Sequence, residues 1–203
     1  MGVNRIITVD LHCLQAQGFV SNKVVFDDYE GAFAGLSFFL DDKNIPNKND
    51  LCVISPDAGG MKRAKAFHGH FSYHGYDQVG LAMISKERKQ ANQVDSMTLI
   101  GDVKGKTCII VDDMIDTAGT LCAAATLLKE QGAAKVYAFA THGIFSGPAA
   151  ERIAKSDLEK VITTDSMTVT PEFRKITGDK FKQVSLDLLL AEVIRRTHQR
   201  ENT

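Results

Sequence analysis

Short β-branched and apolar runs alternate with helical stretches along this chain, and that alternation constrains its fold more than any other feature. The segments RIITVDLH (5–12), LCVIS (51–55), QVGLAMIS (78–85), TCIIV (107–111), KVYAFATHG (135–143), KVITT (160–164) and FKQVSL (181–186) read as strands. Several carry apolar residues on both faces, as strands do when helices cover both sides of a sheet. Between them, Asp27 and Asp28 precede a stretch in which Phe33, Leu36, Phe39 and Leu40 recur at helical spacing. TLCAAATLLKEQG predicts a second helix closed by Gly132, and Leu186, Leu189, Leu190, Val193 and Ile194 form one stripe of a last helix, with Ser185 placed to cap it. The fold class is therefore α/β, a mostly parallel twisted sheet flanked by helices.

Composition narrows the function classes. At 203 residues with 44% hydrophobic content, the chain has enough apolar surface for one core of ordinary size. Its 24 basic and 25 acidic residues nearly cancel, so no global field favours nucleic acid or an anionic membrane, and an anion must be held locally. No apolar run reaches the length of a membrane span and no basic-apolar leader opens the sequence, which points to a cytoplasmic protein. Cys13, Cys52, Cys108 and Cys122 form no CxxC pair, and three of them lie in or beside apolar runs, where a thiol packs as a small hydrophobe.

Ligands of such sheets bind beyond the carboxyl ends of the strands, so the strand-to-helix loops carry the candidate sites. In VDDMIDTAGT (111–120), the residues Asp116, Thr117, Ala118, Gly119 and Thr120 can turn backbone N–H groups and two hydroxyls toward one point at a helix start, which suits a phosphate dianion. Asp112 and Asp113 are hard oxygen donors for sugar hydroxyls or Mg²⁺; taken alone, an acid pair is more often a solvated turn, and it is the combination with the small-residue loop that points to a site. In SPDAGGMKRA (55–64), Asp57 is either a donor to a metal or sugar hydroxyl or the N-cap of the helix that follows. SKERKQANQ (85–93) carries Lys86, Arg88 and Lys89, as solvated surface or as a lid whose cations close over a polyphosphate. Asp10 and His12 share a strand face, as a metal pair or as ordinary hydrogen-bonding groups. His68, His70 and His74 lack a nearby acid or thiol to complete a metal site, and Ser146, Gly147 and Pro148 read as a structural helix start.

Taken together, VDLH, QAQGF, SPDAGGMKRA, SKERKQANQVD, GDVKGKTCIIVDDMIDTAGT and THGIFSGPA resemble ribose-phosphate pyrophosphokinase, the phosphoribosyl pyrophosphate synthetase family. The resemblance covers nearly the whole chain. It implies a type I phosphoribosyltransferase-like fold and an Mg²⁺-dependent transfer of diphosphate from ATP to the C1 hydroxyl of ribose 5-phosphate, releasing AMP. It further implies the 5-phosphate on Asp116 to Thr120, the ribose hydroxyls on Asp112 and Asp113, and Mg²⁺ linked to His12 and Asp57 with Asp10 nearby. Lys86 and Arg88 match the two catalytic cations of the family's flexible loop. Members of the family have two similar α/β halves and assemble as homo-oligomers. By that comparison, residues 1–25 are a remnant of the first half, 26–203 form the second, and both ends are truncated, so most of the ATP site is missing. A salvage phosphoribosyltransferase and a non-catalytic synthetase-associated regulatory subunit are the alternatives.

Overall fold

The structure is a computed structural model that describes residues 2–41, 43–45, 50–87 and 96–199. Its centre is a seven-stranded sheet in the order β5-β4-β3-β6-β7-β8-β9. The strands are β3 (Leu51–Ser55), β4 (Gly80–Glu87), β5 (Ser96–Ile100), β6 (Thr107–Ile115), β7 (Lys135–Gly143), β8 (Lys160–Thr164) and β9 (Phe181–Val184). All neighbours pair in parallel except β4 and β5. Two further strands, β1 (Arg5–Val9) and β2 (Val25–Tyr29), pair in parallel as a small sheet of their own.

The period-2 geometry of the strands feeds two cores at once. Cys52, Ile54, Cys108, Ile110, Val136 and Ala138 face one side; Leu51, Val53, Ile109, Val111, Tyr137 and Phe139 face the other. On the first side lie α3 (Gly119–Glu130), α4 (Ala149–Lys155) and α5 (Pro171–Thr177). On the second lie α1 (Ala32–Leu40) and α2 (Met61–Tyr73), where the Phe67 ring meets those of Phe39 and Phe71 edge-on, at 5.8 and 5.7 Å between centroids. Cys52 and Cys108 are register neighbours in the first core, and burial pushes their thiols up to about 11 and about 12, the behaviour of packing groups. Gly132 closes α3 as expected: at φ 89° it lets Gly132 N–H reach Lys129 O and Ala133 N–H reach Leu128 O, a Schellman turn.

The helix expected after Asp27 and Asp28 forms as α1, with Leu36 and Phe39 buried and Phe33 exposed. Several other expectations change. Asp27 and Asp28 themselves lie inside β2; Asp27 bonds Arg5 at 2.6 Å and Asp28 accepts from Thr8 at 2.7 Å. The division expected after residue 25 thus falls at the first residue of β2, and the small sheet straddles it. β4 runs on to Glu87 because the unanticipated β5 pairs with it antiparallel, so Lys86 sits opposite Met97 on a strand. β6 likewise continues through Asp112 and Asp113 to Ile115, because β7 keeps pairing beside it. The last helix, α6 (Asp187–Gln199), forms, and Ser185 Oγ accepts from Asp187 N–H. Of its predicted stripe, Leu186 and Val193 are buried while Ile194 is exposed.

The connection from β3 leads outward to β4 and the one from β6 leads the other way to β7. Chain direction therefore diverges between β3 and β6, and their carboxyl ends open a crevice, the usual ligand position of an open parallel sheet.

Phe67 is fully buried and touches the rings of Phe39, Phe71 and Phe139. Phe67→Ala is expected to cost about 3–5 kcal/mol in denaturant unfolding, and a loss below about 1 kcal/mol would show this layer to be loosely packed.

Candidate functional site

Both loops at the crevice come from the candidate motifs. After β6 the chain has only Asp116, Thr117 and Ala118 before α3 begins at Gly119. Ala118 holds the left-handed conformation at φ 58°, ψ 9°, followed at once by helical residues. Such an alternation turns successive N–H groups toward one concave side. No side chain caps α3, and Cys122 N–H is the first to find a partner in the helix, at Ala118 O. The N–H groups of Gly119, Thr120 and Leu121 precede it and have no carbonyl to bond within the helix. They border a cavity of about 200 Å³ whose wall also includes Asp112, Asp116, Thr117 and Lys86.

Beside this cradle stands an ion cluster. Asp112 shares the α3 face of β6 with Ile110, while Asp113 lies on the α2 face with Val111. Arg63, from the first turn of α2, reaches Oδ1 of both carboxylates at 3.5 Å. His12 Nδ1 lies 2.5 Å from Asp113 Oδ2. Burial pushes Asp113 up, but hydrogen bonds from Asp112 and His12 and the Arg63 charge outweigh it, leaving its carboxyl below the usual range. Burial, then the bond and charge of Asp113, push Asp112 up to about 7. A second cavity of about 420 Å³ lies on the Arg63 side, with His12, Asp28 and Lys62 in its wall.

Asp57 is not the N-cap of α2, a position Gly60 takes without a side-chain cap; it accepts from Gly60 N–H at 2.9 Å in the loop that leads into the helix. Its other oxygen faces Lys86 Nζ at 3.9 Å, so both groups meet at the crevice mouth. Asp10 is engaged elsewhere: its Oδ2 accepts from Gly31 N–H at 2.8 Å and from Thr141 Oγ1, which ties the small sheet to β7. His142 adds to that joint through Nε2, which donates to Val9 O at 2.9 Å; a carbonyl only accepts, so this nitrogen carries the hydrogen. Arg88 and Lys89 lie outside the described residues. Three groups drew no functional reading from the sequence: Arg63, which reaches Asp112 and Asp113, Ser146, which donates to Asp116 Oδ1, and Arg152, which donates to Thr117 O. Their partners lie 30 or more residues away, and no local pattern announces them.

Among the described residues no group of three His, Cys, Asp or Glu side chains converges on one point as a metal cage. Mg²⁺ does not require one, because it is commonly held by one or two carboxylates together with water and substrate phosphate oxygens. The carboxylates at the crevice fit that mode of binding.

A family model described as the phosphoribosyl synthetase-associated domain matches residues 79–203. The chain belongs to this family. It is 45% identical over 202 residues to ribose-phosphate pyrophosphokinase of Vibrio cholerae, covering 100% of this chain and 60% of that protein. The corresponding protein of Neisseria meningitidis is 41% identical over 201 residues, covering 99% and 57%. The crystal structure of phosphoribosylpyrophosphate synthetase from Mycobacterium smegmatis superposes with a TM-score of 0.78 at 35% identity, over 98% of this chain and 60% of that one. The α/β fold is thus that of the synthetases, and the chain spans about three fifths of the length of the relatives it matches.

Asp112 gives the crevice a pH dependence. Between the ordinary carboxyl value of 3.8 and about 7 the folded chain keeps a proton that the unfolded chain has released, so this group costs stability as pH rises through that window. Asp10, raised by burial, acts in the same sense, while Asp113, lowered, stabilises above its ordinary value. Asp112→Asn is expected to shrink the fall in Tm between about pH 5 and about pH 8, and a fall equal to the parent's would refute the assignment.

Proposed function

We propose that this chain carries the ribose 5-phosphate site of a ribose-phosphate diphosphokinase, the enzyme that moves diphosphate from ATP to the C1 hydroxyl of the sugar phosphate and releases AMP. The observation that carries the reading is the uncapped, left-handed entry to α3 beside the Asp112–Asp113 pair, within a chain that belongs to the synthetase family. In this reading the N–H groups and hydroxyls of Thr117 to Thr120 hold the 5-phosphate, with Asp116 at the loop's edge. Asp112 accepts from the ribose hydroxyls, and Asp113, kept charged by Arg63 and His12, fixes the position of Asp112.

Lys86 would stand over the diphosphate being transferred. Phosphoryl transfer is governed by positioning and charge neutralisation, and a cation delivered on the end of a strand meets both needs. Arg88, two positions further along the sequence, is proposed as its companion. Bound Mg²⁺ would neutralise phosphate charge, with Asp57 and His12 as its protein-side positions; Asp10, already holding Gly31 and Thr141, would act at one remove by anchoring the β1 end next to His12. A cytoplasmic enzyme of nucleotide supply, oligomeric as a whole protein, completes the proposal. The two sheets support a division into a first-half element and a sugar-phosphate domain, with the break moved to the end of β2. Among the described residues no helix is long and apolar enough to cross a membrane.

Calorimetry with ribose 5-phosphate is expected to show binding that Thr117→Val, Thr120→Val reduces about a hundredfold or more, from about 1.5–3 kcal/mol per hydrogen bond to a charged group. Unchanged affinity in the double variant would refute the cradle. Incubation with 5-phosphoribosyl 1-diphosphate and a purine base tests the salvage alternative, for which formation of a nucleotide would be decisive.

A further inference from the structure

Arg152 lies on α4, outside the cavity, with the cradle loop between it and the space where a ligand would sit. Its Nη1 donates to Thr117 O at 3.0 Å, and among the described residues no carboxylate pairs with it. A Cβ at Gly119 would stand 3.2 Å from the same nitrogen, so the guanidinium lies flush against the back of the loop. Four residues before α4's Ala150, Ser146 donates to the side chain of Asp116. The β7–α4 segment therefore grips two consecutive loop residues, one by its carboxylate and the next by its carbonyl.

The second grip has a directional consequence. The chain has no cis peptide bond among its described residues, and in a planar trans unit the carbonyl of one residue and the N–H of the next point in opposite directions. Fixing Thr117 O against Arg152, behind the loop, therefore aims Ala118 N–H forward. The left-handed Ala118 is a conformation that a residue with a Cβ adopts at a cost of about 1–2 kcal/mol, so something in the surroundings must hold it. Arg152 is the polar group in contact with the peptide that precedes it.

We propose that Arg152 is a positioning residue for the anion cradle: by holding Thr117 O it presets Ala118 N–H toward the phosphate, and Ser146 does the same for Asp116. This rests on the sugar-phosphate reading of the loop. It differs from a role for the charge itself, because a hydrogen bond to a carbonyl acts whatever the ionic strength, whereas attraction across the loop is screened.

The test compares the parent with Arg152→Met and Arg152→Lys by calorimetry with ribose 5-phosphate, at about 0.1 M and about 1 M salt, where the screening length falls from about 10 Å to about 3 Å. The expected result is a loss of about tenfold in Arg152→Met that persists at high salt and is largely restored in Arg152→Lys, which can still donate to Thr117 O. Amide NMR adds a direct readout: ribose 5-phosphate should shift the Ala118 N–H in the parent and Arg152→Lys, and much less in Arg152→Met. Parental affinity in Arg152→Met, or a loss that vanishes at high salt, would overturn the proposal. If the parent itself does not bind, the sugar-phosphate reading fails and this proposal falls with it; binding by the parent that Arg152→Met leaves intact overturns this proposal alone. Since Arg152 is exposed, thermal unfolding should show all variants folded; Ser146→Ala, with an expected loss of about threefold, tests the second grip separately.

Discussion

A parallel sheet must be covered on both faces, and here the chain meets that requirement by sending its connections in opposite directions from β3 and β6. The crevice between those strand ends is a consequence of the covering and not a separate feature. Asp57 stands at one lip because it braces the Gly60 entry to α2, which covers one face. Thr117 to Thr120 form the other because α3, which covers the opposite face, has to start there. Apolar burial thus places the polar groups: neither helix start could shift without unpacking Phe67 on one side or Leu121 and Ala125 on the other.

Within the crevice the electrostatics are asymmetric by construction. Two adjacent acids on a strand face opposite ways, so only Asp113 meets His12 closely while Arg63 spans both. The outcome is one carboxylate held charged and another that retains a proton at near-neutral pH, next to an anion cradle built from N–H groups. Asp112, the member of the pair that lines the cavity, is thus the one whose charge changes nearest neutral pH.

Much of this was legible in the sequence, for a physical reason. β3, β6, β7 and β8 are apolar on both faces, so their runs stand out without knowledge of partners. The loop before α3 stood out as a candidate because small residues between strand and helix allow close backbone approach. β2 was hidden: VFDDY looks like a turn until Arg5 and Thr8 supply partners for its acids, across about twenty positions of chain. β5 was hidden for a related reason, since SMTLI becomes a strand only against the extended end of β4. Asp10 was readable as a carboxylate near a strand end, yet its bonds to Gly31 and Thr141 depend on how the two sheets meet. Local pattern reveals groups that act through their own loop; groups that act through another element, Arg63 and Arg152 among them, emerge only from packing.

The joint between the sheets has a mechanical side. Asp10 is fastened to Thr141, and Val9 to His142, so the small sheet is rooted in the last residues of β7. The same strand continues within three residues into Ser146, which grips Asp116. A short hydrogen-bonded connection thus runs from the β1–β2 pair through the end of β7 to the loop before α3.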